Sequence, residues 1–234
     1  MIEWLGGIDN DTFVWLNSMR SDFADTFCLM FSGKFIWVPM YAAILYTFFR
    51  DFKWQQAVLF IIGVALTITL ADQLGAHVLR PIFERPRPSN PASPVFWMVH
   101  LVDGHSAGGD FGFPSCHAAN TFALATLVSF YLKRRATVIF LFIWAIITCY
   151  SRIYLAAHYP GDLLAGALLG AAVAYVVYLL TMFVGHRLAM IRYKDLETRV
   201  RPVFLNSWQP SYYPSDWIIA VGCLTILYII IVSL

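Results

Sequence analysis

The segment FGFPSCHAANTFALATLVSFYL, residues 111–132, joins a polar opening to an apolar run long enough to cross much of a bilayer. Ser115, directly after Pro114, is a good N-cap residue, so a helix is predicted to begin beside it. The free N–H groups of its first turn and the positive end of its dipole would form a site for an anion. His117 would stand beside that anion, placed to give or take a proton. The alternative is an ordinary capped helix with a histidine at the membrane interface.

The composition of the whole chain is that of a membrane protein. Of its 234 residues, 59% are hydrophobic and only 13% are charged, against about 25% charged residues in soluble domains. The net charge of +2 comes without a basic tail, so we expect no nucleic-acid partner. The four cysteines show no zinc-like spacing and are expected to be free thiols. The start of the chain lacks the pattern of a cleaved signal peptide.

Hydrophobic runs of near-spanning length predict a bundle of six transmembrane helices. These runs lie at about 35–50, 54–79, 116–133, 136–151, 162–185 and 216–234. The preceding segment, 1–34, has apolar residues at helix-like spacing among Asp and Arg, which predicts an amphipathic stretch along the interface. We therefore predict an all-α integral membrane bundle, a single domain over 1–234 whose catalytic core covers 54–185.

Basic residues in the short connections predict the orientation of this bundle. Arg50 and Lys53 join the first two runs and residues 133–135 join the third and fourth, so both connections are expected in the cytoplasm. Alternation then places the loops 80–115 and 152–161 on the opposite side. We expect a multi-pass protein of the inner (cytoplasmic) membrane whose polar loops face the periplasm or the exterior.

The first of these polar loops contains a cluster of arginines in the stretch RPIFERPRP, namely Arg80, Arg85 and Arg87. Guanidinium groups bind phosphate oxygens as a fork and keep their charge, so the cluster suits an oxyanion. The alternative is a positive flank that contacts lipid headgroups, although the loop lies on the wrong side of the membrane for that role.

The second polar loop lies in SRIYLAAHYPGD, residues 151–162, where Arg152 ends a predicted span and His158 precedes Asp162. A carboxylate bonded to one imidazole nitrogen fixes the tautomer and leaves the other nitrogen free to attack phosphorus. The alternative is a capping Asp beside a loop histidine. Because this pair, the arginines and His117 all belong to one membrane face, we predict a single site for an anionic lipid headgroup.

Together these motifs resemble the type 2 phosphatidic acid phosphatase family, membrane lipid phosphatases related to vanadium-dependent haloperoxidases. That family has Lys, six residues and Arg-Pro; then Pro-Ser-Gly-His; then Ser-Arg, five residues, His, three residues and Asp. Residues 80–88 match the first motif with Arg80 in the lysine position, and 114–117 match the second with Cys116 in the glycine position. Residues 151–162 match the third motif fully.

The resemblance implies His158 as the nucleophile, Asp162 as its orienting partner and His117 as the acid that protonates the leaving oxygen. The phosphate-binding residues that it implies are Arg80, Arg87, Ser115, Cys116 and Arg152. The family fold is a bundle of six membrane helices, and the family needs no metal, so we expect no cofactor. Because Cys116 places a side chain where glycine allows close approach, an altered substrate preference is predicted.

The leading functional hypothesis is a lipid phosphatase that works through a phosphohistidine intermediate. The substrate would be an isoprenyl diphosphate, phosphatidylglycerol phosphate, phosphatidic acid or the phosphates of lipid A, with the bilayer as the other partner and no obligatory protein partner. A lipid phosphotransferase that uses the same site is the second hypothesis. An anion transporter is the third, and broken-helix signals or inverted repeats that would support it are not evident in the sequence.

Other polar or small residues are expected to be structural. We expect Asp72 and His77, at the end of the second run, to pack inside the bundle rather than to form a metal or proton path. The glycine-containing loop with His100, Asp103 and His105 is a candidate flexible lid. The GxxxG pair, Gly166 and Gly170, predicts helix packing within the chain rather than dimerisation.

Overall fold

A computed structural model describes residues 2–102, 109–192 and 216–234, and the regular structure within these ranges is helical, which confirms the predicted all-α class. The helices are α1 (Ile2–Asn17), α2 (Asp22–Phe31), α3 (Val38–Asp51), α4 (Trp54–Gln73), α5 (Arg80–Phe83), α6 (Cys116–Leu132), α7 (Arg135–Tyr154), α8 (Pro160–Arg192) and α9 (Trp217–Ser233). A π-helical turn, Leu74–Leu79, joins α4 to α5.

Three continuous helical stretches are long and apolar enough to cross a membrane, namely Trp54–Phe83, Arg135–Tyr154 and Pro160–Arg187. A fourth candidate is the pair Asp22–Phe31 and Phe35–Asp51, which is bent by 70°. The remaining apolar helices, α6 and α9, have 17 residues each, fewer than the ~20 that a perpendicular span needs. Every predicted run is helical, but length and composition support only three or four spans among the described residues, so the count of six is not confirmed.

The N-terminal segment forms two helices rather than one continuous amphipathic stretch. The break lies at Ser21, whose hydroxyl oxygen accepts the Ala24 N–H at 3.1 Å and caps α2. Helix α1 packs onto the bundle, because Phe13 is fully buried with its ring centroid 5.3 Å from that of Tyr159. The buried Asn17 side chain donates to the Tyr154 carbonyl at 2.9 Å. These contacts fix α1 beside the end of α7.

Helices α6 and α8 lie in close contact through the GxxxG pair. A Cβ atom at Gly166 would lie 2.3 Å from the carbonyl oxygen of Ser115, and one at Gly170 would lie 2.0 Å from that of Ala119. Only glycine allows backbones to approach this closely. The pair therefore serves packing within the chain, and it presses the start of α8 against the start of α6.

Gly170→Ala is expected to lower the free energy of unfolding by about 1–3 kcal/mol, because the added methyl group would force two helix backbones apart. The measurement is thermal or denaturant unfolding in detergent. Gly185→Ala in the same helix is the matched control, since its Cβ would meet only the flexible end of Leu59 at 3.2 Å. Equal unfolding midpoints for the two variants would contradict the packing account.

The two basic connections meet at one end of the bundle. Asp51, at the end of α3, accepts a hydrogen bond from Arg50 at 2.7 Å and forms a salt bridge with Arg134 from the α6–α7 connection. The two connections predicted on one membrane side are therefore neighbours in space. The polar segments 80–102, 109–115 and 152–161 lie at the opposite ends of the same helices, and residues from them build the candidate site.

Candidate active site

The arginine loop is held by a short antiparallel pairing with the segment that precedes α6. The Arg87 N–H donates to the Asp110 carbonyl at 3.0 Å, and the Gly112 N–H donates to the Arg85 carbonyl at 2.8 Å. Arg80 stands earlier, where the π-helical turn passes into α5. Backbone pairing thus fixes the spacing of the arginines, while the proline residues between them restrict the loop.

The start of α6 is built as its sequence predicts. Ser115 is the N-cap, with its hydroxyl oxygen accepting the Ala118 N–H at 3.4 Å. The Ser115 N–H donates to the carbonyl of Asp162 at 3.0 Å, which ties the second motif to the third. Ser115 is fully buried and lies behind the cavity described below. Its hydroxyl is therefore placed to cap the helix.

Helix α7 ends in a turn that presents His158. Ala156 has a φ of +54°, and the Ala157 N–H bonds to the Arg152 carbonyl at 3.0 Å while the Ala156 N–H bonds to the Ile153 carbonyl at 3.0 Å. This is the Schellman arrangement, with alanine where glycine is usual. The left-handed residue costs about 1–2 kcal/mol relative to glycine. The turn places the His158 ring against the ends of the other two motifs.

His158 and Asp162 are close, but they do not form the predicted hydrogen bond. Nδ1 of His158 lies 3.8 Å from Oδ2 of Asp162, beyond hydrogen-bond distance, and has no bonding partner among the described residues. The fully buried Asp162 uses Oδ2 to accept the Tyr159 N–H at 3.0 Å and Oδ1 to accept a guanidinium N–H of Arg85 at 2.8 Å. The Tyr159 N–H and the Arg85 guanidinium, rather than His158, therefore orient the Asp162 carboxylate.

Gly112 packs directly against the His158–Asp162 pair. A Cβ atom at this position would lie 3.0 Å from Oδ2 of Asp162 and 3.5 Å from Nδ1 of His158. It would also lie 3.2 Å from Cγ of Arg87. The absence of a side chain at Gly112 therefore lets all three groups share one small volume, a constraint that the three sequence motifs did not reveal.

A cavity of about 640 Å³ brings residues of all three motifs together. The residues at its polar end are Arg80, Arg87, Cys116, His117, Arg152 and His158. Of the other predicted site residues, Asp162 and Ser115 stand directly behind this surface. Three guanidinium groups and two imidazoles at one end of a cavity can surround a tetrahedral anion.

Burial lowers the pKa of His158 to about 4, an effect that the charge of Arg87 also promotes and that the Asp162 carboxylate opposes. The imidazole is therefore neutral at neutral pH, the form that can attack phosphorus. Burial also lowers the pKa of Arg87, and the positive charge of the nearby Arg80 lowers it further. Positive groups crowded in a buried site are expected to favour a bound anion.

The thiol of Cys116, which replaces the glycine of the family motif, lies in a space left by another glycine, Gly75. Sγ accepts a hydrogen bond from the Arg80 guanidinium at 3.2 Å, and a Cβ at Gly75 would lie 3.4 Å from it. Gly75 belongs to the π-helical turn beside α6. The side chain at the family's glycine position therefore points toward Arg80 and the π-helical turn. Altered substrate preference at Cys116 stays a prediction.

Two further features of the site were not predicted. Arg85, grouped with the anion-binding arginines, does not line the cavity and instead bonds to Asp162 and to Asp9 of α1. Asp72, assigned to packing, lines the cavity together with Asn120. Its signal in the sequence was a carboxylate inside a membrane run, which is costly unless it has a function.

The other polar residues singled out in the sequence lie elsewhere. His77 is exposed on the π-helical turn and does not line the cavity. Asp103 and His105 fall outside the described residues, so the flexible-lid prediction stays untested. Across the part of the chain that is described, groups of three or more His, Cys, Asp or Glu side chains placed to hold a metal ion are not found.

An anion site at the head of a largely apolar cavity in a helical bundle is the arrangement that a membrane lipid phosphatase requires. The family model of the PAP2 superfamily matches residues 56–186, more than half of the chain. The chain therefore belongs to the PAP2 superfamily, as its three motifs predicted. It is a lipid phosphatase and a hydrolase, which confirms the predicted class of activity.

Relatives agree with this assignment, and a solved structure agrees with the fold. A lipid A 4'-phosphatase of Bacteroides thetaiotaomicron is 41% identical over 100% of this chain and 99% of the relative. A lipid A 4'-phosphatase of Porphyromonas gingivalis is 31% identical over 80% of this chain and 78% of the relative. An undecaprenyl-diphosphatase of Sulfolobus acidocaldarius is 29% identical over 64% of this chain and 66% of the relative. The crystal structure of Aquifex aeolicus LpxE matches with a TM-score of 0.53 at 24% identity, covering 71% of this chain and 92% of that one, which supports the fold.

Proposed function

We propose that this phosphatase hydrolyses the phosphate monoester of an acylated sugar lipid of the lipid A type through a phosphohistidine intermediate. The observation that supports the proposal is the composition of the cavity. Cationic side chains line one end of it, apolar side chains line the rest, which we call the arm, and the polar side chains of Asp72 and Asn120 also line it. The two relatives that match most of this chain, both named lipid A 4'-phosphatases, agree with this substrate class.

In the first chemical step, Nε2 of His158 attacks phosphorus and forms a P–N bond while the P–O bond to the lipid breaks. His117, protonated once the negatively charged phosphate is bound beside it, donates its proton to the departing lipid oxygen. The guanidinium groups of Arg80, Arg87 and Arg152 stabilise the charge on the three equatorial phosphoryl oxygens. Since these residues line one cavity, they can act on one phosphoryl group.

In the second step, water replaces the lipid oxygen. His117, now neutral, accepts a proton from the water as its oxygen attacks phosphorus, and the P–N bond to His158 breaks. The products are free phosphate and a neutral imidazole at His158. Asp162 stabilises the positive charge that the His158 ring carries while it is phosphorylated. The cycle thus returns both histidines to their starting protonation states.

The arm of the cavity supports a substrate with hydrocarbon chains. It lies between α3, α4, α6 and α7 and is lined by aromatic and aliphatic side chains, namely Trp37, Tyr41, Ile44, Leu45, Phe60, Val64, Ile68, Leu124 and Trp144. Leu45 lines the cavity and is also 40% exposed on the outer surface of the bundle. A lipid tail can therefore lie in the arm and reach the surrounding bilayer near Leu45.

The polar side chains of Asp72 and Asn120 favour a substrate with a sugar headgroup over an isoprenyl diphosphate. Asn120 Nδ2 lies 3.5 Å from Oδ1 of Asp72, at the long limit of a hydrogen bond, and Oδ1 of Asn120 is buried with no partner among the described residues. Asn120 lies one helical turn after Cys116. The pair therefore offers acceptors to hydroxyl or amide N–H groups next to the phosphate. An isoprenyl chain has no such donors.

We place the protein in the inner membrane with this site on the periplasmic face. The basic connections at residues 50–53 and 133–135 meet at the opposite end of the bundle, where the positive-inside tendency favours the cytoplasm. Under this proposal the enzyme needs the bilayer and its phosphorylated lipid, but no nucleic acid or protein partner.

The test compares free phosphate released from lipid A, phosphatidic acid and undecaprenyl diphosphate, with His158→Ala as the blank. We expect lipid A to have the highest kcat/KM. Asp72→Asn should lower kcat/KM for lipid A by about 10-fold, since a hydrogen bond to a charged group contributes about 1.5–3 kcal/mol. The same variant should keep kcat/KM for undecaprenyl diphosphate within about twofold of the wild-type value. Asp11→Asn, an exposed change on α1, is the control for the lost charge. Faster turnover of undecaprenyl diphosphate than of lipid A by the wild type would refute the proposed substrate.

A further inference from the structure

Arg85 bridges two carboxylates outside the cavity. Its guanidinium donates one N–H to Oδ1 of Asp162 at 2.8 Å and another to Oδ2 of Asp9 at 2.6 Å. The same guanidinium lies 4.0 Å from the centroid of the Tyr159 ring. Asp9 belongs to α1, whereas the family model begins at residue 56. A helix outside the matched region therefore contacts the candidate active site through one arginine.

Asp9 also contacts the turn between His158 and Asp162. Its Oδ1 accepts the Gly161 N–H at 2.8 Å, and a Cβ at Gly161 would lie 2.8 Å from its Oδ2. The side chain of Asp9 is only 15% exposed. With Phe13 of the same helix packed on Tyr159, α1 is fixed against this turn both by apolar packing and by hydrogen bonds. Asp9 is thus held firmly in place beside Arg85.

This arrangement determines how Asp162 uses its two oxygens. A guanidinium can bind both oxygens of one carboxylate as a fork. Here the second arm of Arg85 is engaged by Asp9, so Arg85 contacts only Oδ1 of Asp162. Oδ2 is left to the Tyr159 N–H and faces Nδ1 of His158 at 3.8 Å.

We propose that Asp9 is a positioning residue for phosphoryl transfer. By engaging one arm of Arg85, it keeps Oδ2 of Asp162 directed at His158, which sets the tautomer and orientation of the imidazole for attack. The inference rests on the proposed role of His158 as the nucleophile. Asp9 and Arg85 do not line the cavity, so their effect is on the chemical step rather than on substrate binding.

The test is a double-mutant cycle between Asp9→Asn and Asp162→Asn, measured as phosphate release from radiolabelled lipid A. Asparagine keeps the size of the side chain and an acceptor for Gly161 but removes the charge that engages Arg85. We expect Asp9→Asn to lower kcat about 10-fold with KM within twofold. In the Asp162→Asn background it should cause no further loss, because its effect passes through Asp162.

Asp11→Asn is the matched control, since Asp11 lies on the same helix and is exposed. It should retain wild-type kcat. The inference is overturned if Asp9→Asn retains kcat within twofold of wild type, or if it lowers kcat by the same factor in both backgrounds, as a purely structural residue would. His158→Ala separates the two proposals: wild-type release no greater than in this variant contradicts the proposed function, whereas His158-dependent release with an inert Asp9→Asn contradicts only the positioning role.

Arg85→Lys provides a second route if Asp9→Asn does not fold. A single ammonium group keeps the charge but lacks the fork that spans two carboxylates. It should likewise lower kcat with little change in KM, and its effect should disappear in the Asp162→Asn background. Wild-type kcat in Arg85→Lys, or an equal loss in both backgrounds, would overturn the inference in the same way.

Discussion

His158→Ala is expected to lower phosphate release by at least about 10⁴-fold, because the variant lacks the atom that forms the bond to phosphorus. His158 is only 2% exposed, and its Nδ1 lacks a hydrogen-bond partner among the described residues. Its removal should therefore cost little hydrogen-bonding energy, and the variant should fold. The measurement is kcat/KM in detergent micelles, together with the unfolding midpoint of each protein.

His77→Ala is the matched control for this experiment. It removes an exposed histidine from the π-helical turn that does not line the cavity, and it should leave kcat/KM within twofold of wild type. A His158→Ala protein that retains more than about 1% of wild-type turnover would show that another group attacks phosphorus. Loss of activity together with loss of the folded state would require the more conservative His158→Gln.

Arg152→Met is expected to change activity and stability in opposite directions. Arg152 is 6% exposed and donates to the Ser32 hydroxyl, and it is not part of any salt bridge found among the described residues. A buried cation without a carboxylate destabilises the free protein but is available for phosphate. Replacing it with an apolar side chain of similar length should raise the unfolding midpoint and lower kcat/KM about 10³-fold or more.

The readouts are the unfolding midpoint with and without inorganic phosphate, and kcat/KM on lipid A. Phosphate should raise the midpoint of the wild type but have a smaller effect on Arg152→Met, because a ligand stabilises only the folded protein that binds it. Arg134→Met, which removes the partner of Asp51 at the opposite end of the bundle, should retain activity and lose no more than about 1 kcal/mol of stability. Retained activity in Arg152→Met would exclude this arginine from the phosphate site.

The parts of the site that the sequence predicted depend on local signals. Ser115 caps α6 because a hydroxyl just before a helical run accepts a free N–H of the first turn. The two groups are only three positions apart in the sequence, so the cap can be predicted locally. The motif spacing likewise brings Arg80, His117 and His158 to one cavity, because each residue ends or begins an apolar helix on the same side of the bundle. Such arrangements follow from helix ends and loop order alone.

The parts that could not be predicted depend on contacts between distant segments. Arg85 pairs with Asp9 across 76 positions, and a charge in an arginine-rich loop has no local signal that separates it from its neighbours. The direction in which the Asp72 side chain points depends on the rotation of α4 about its axis, which is set by packing against both α6 and α8. The bend of 70° between α2 and α3 lies at residues 32–34, before the apolar run predicted at 35–50, so that run gave no sign of it. The six-span count also included α6 and α9, whose 17 residues each are fewer than a perpendicular span needs.

We expect a covalent bond to form between His158 and the substrate phosphorus during turnover. Its most direct test is rapid quenching of the enzyme with ³²P-labelled lipid A in alkali, followed by digestion and identification of the labelled peptide. We expect an acid-labile, alkali-stable label on the peptide that contains His158, and no label in the His158→Ala variant. Single-turnover hydrolysis without any labelled intermediate, or a label on another residue, would contradict it.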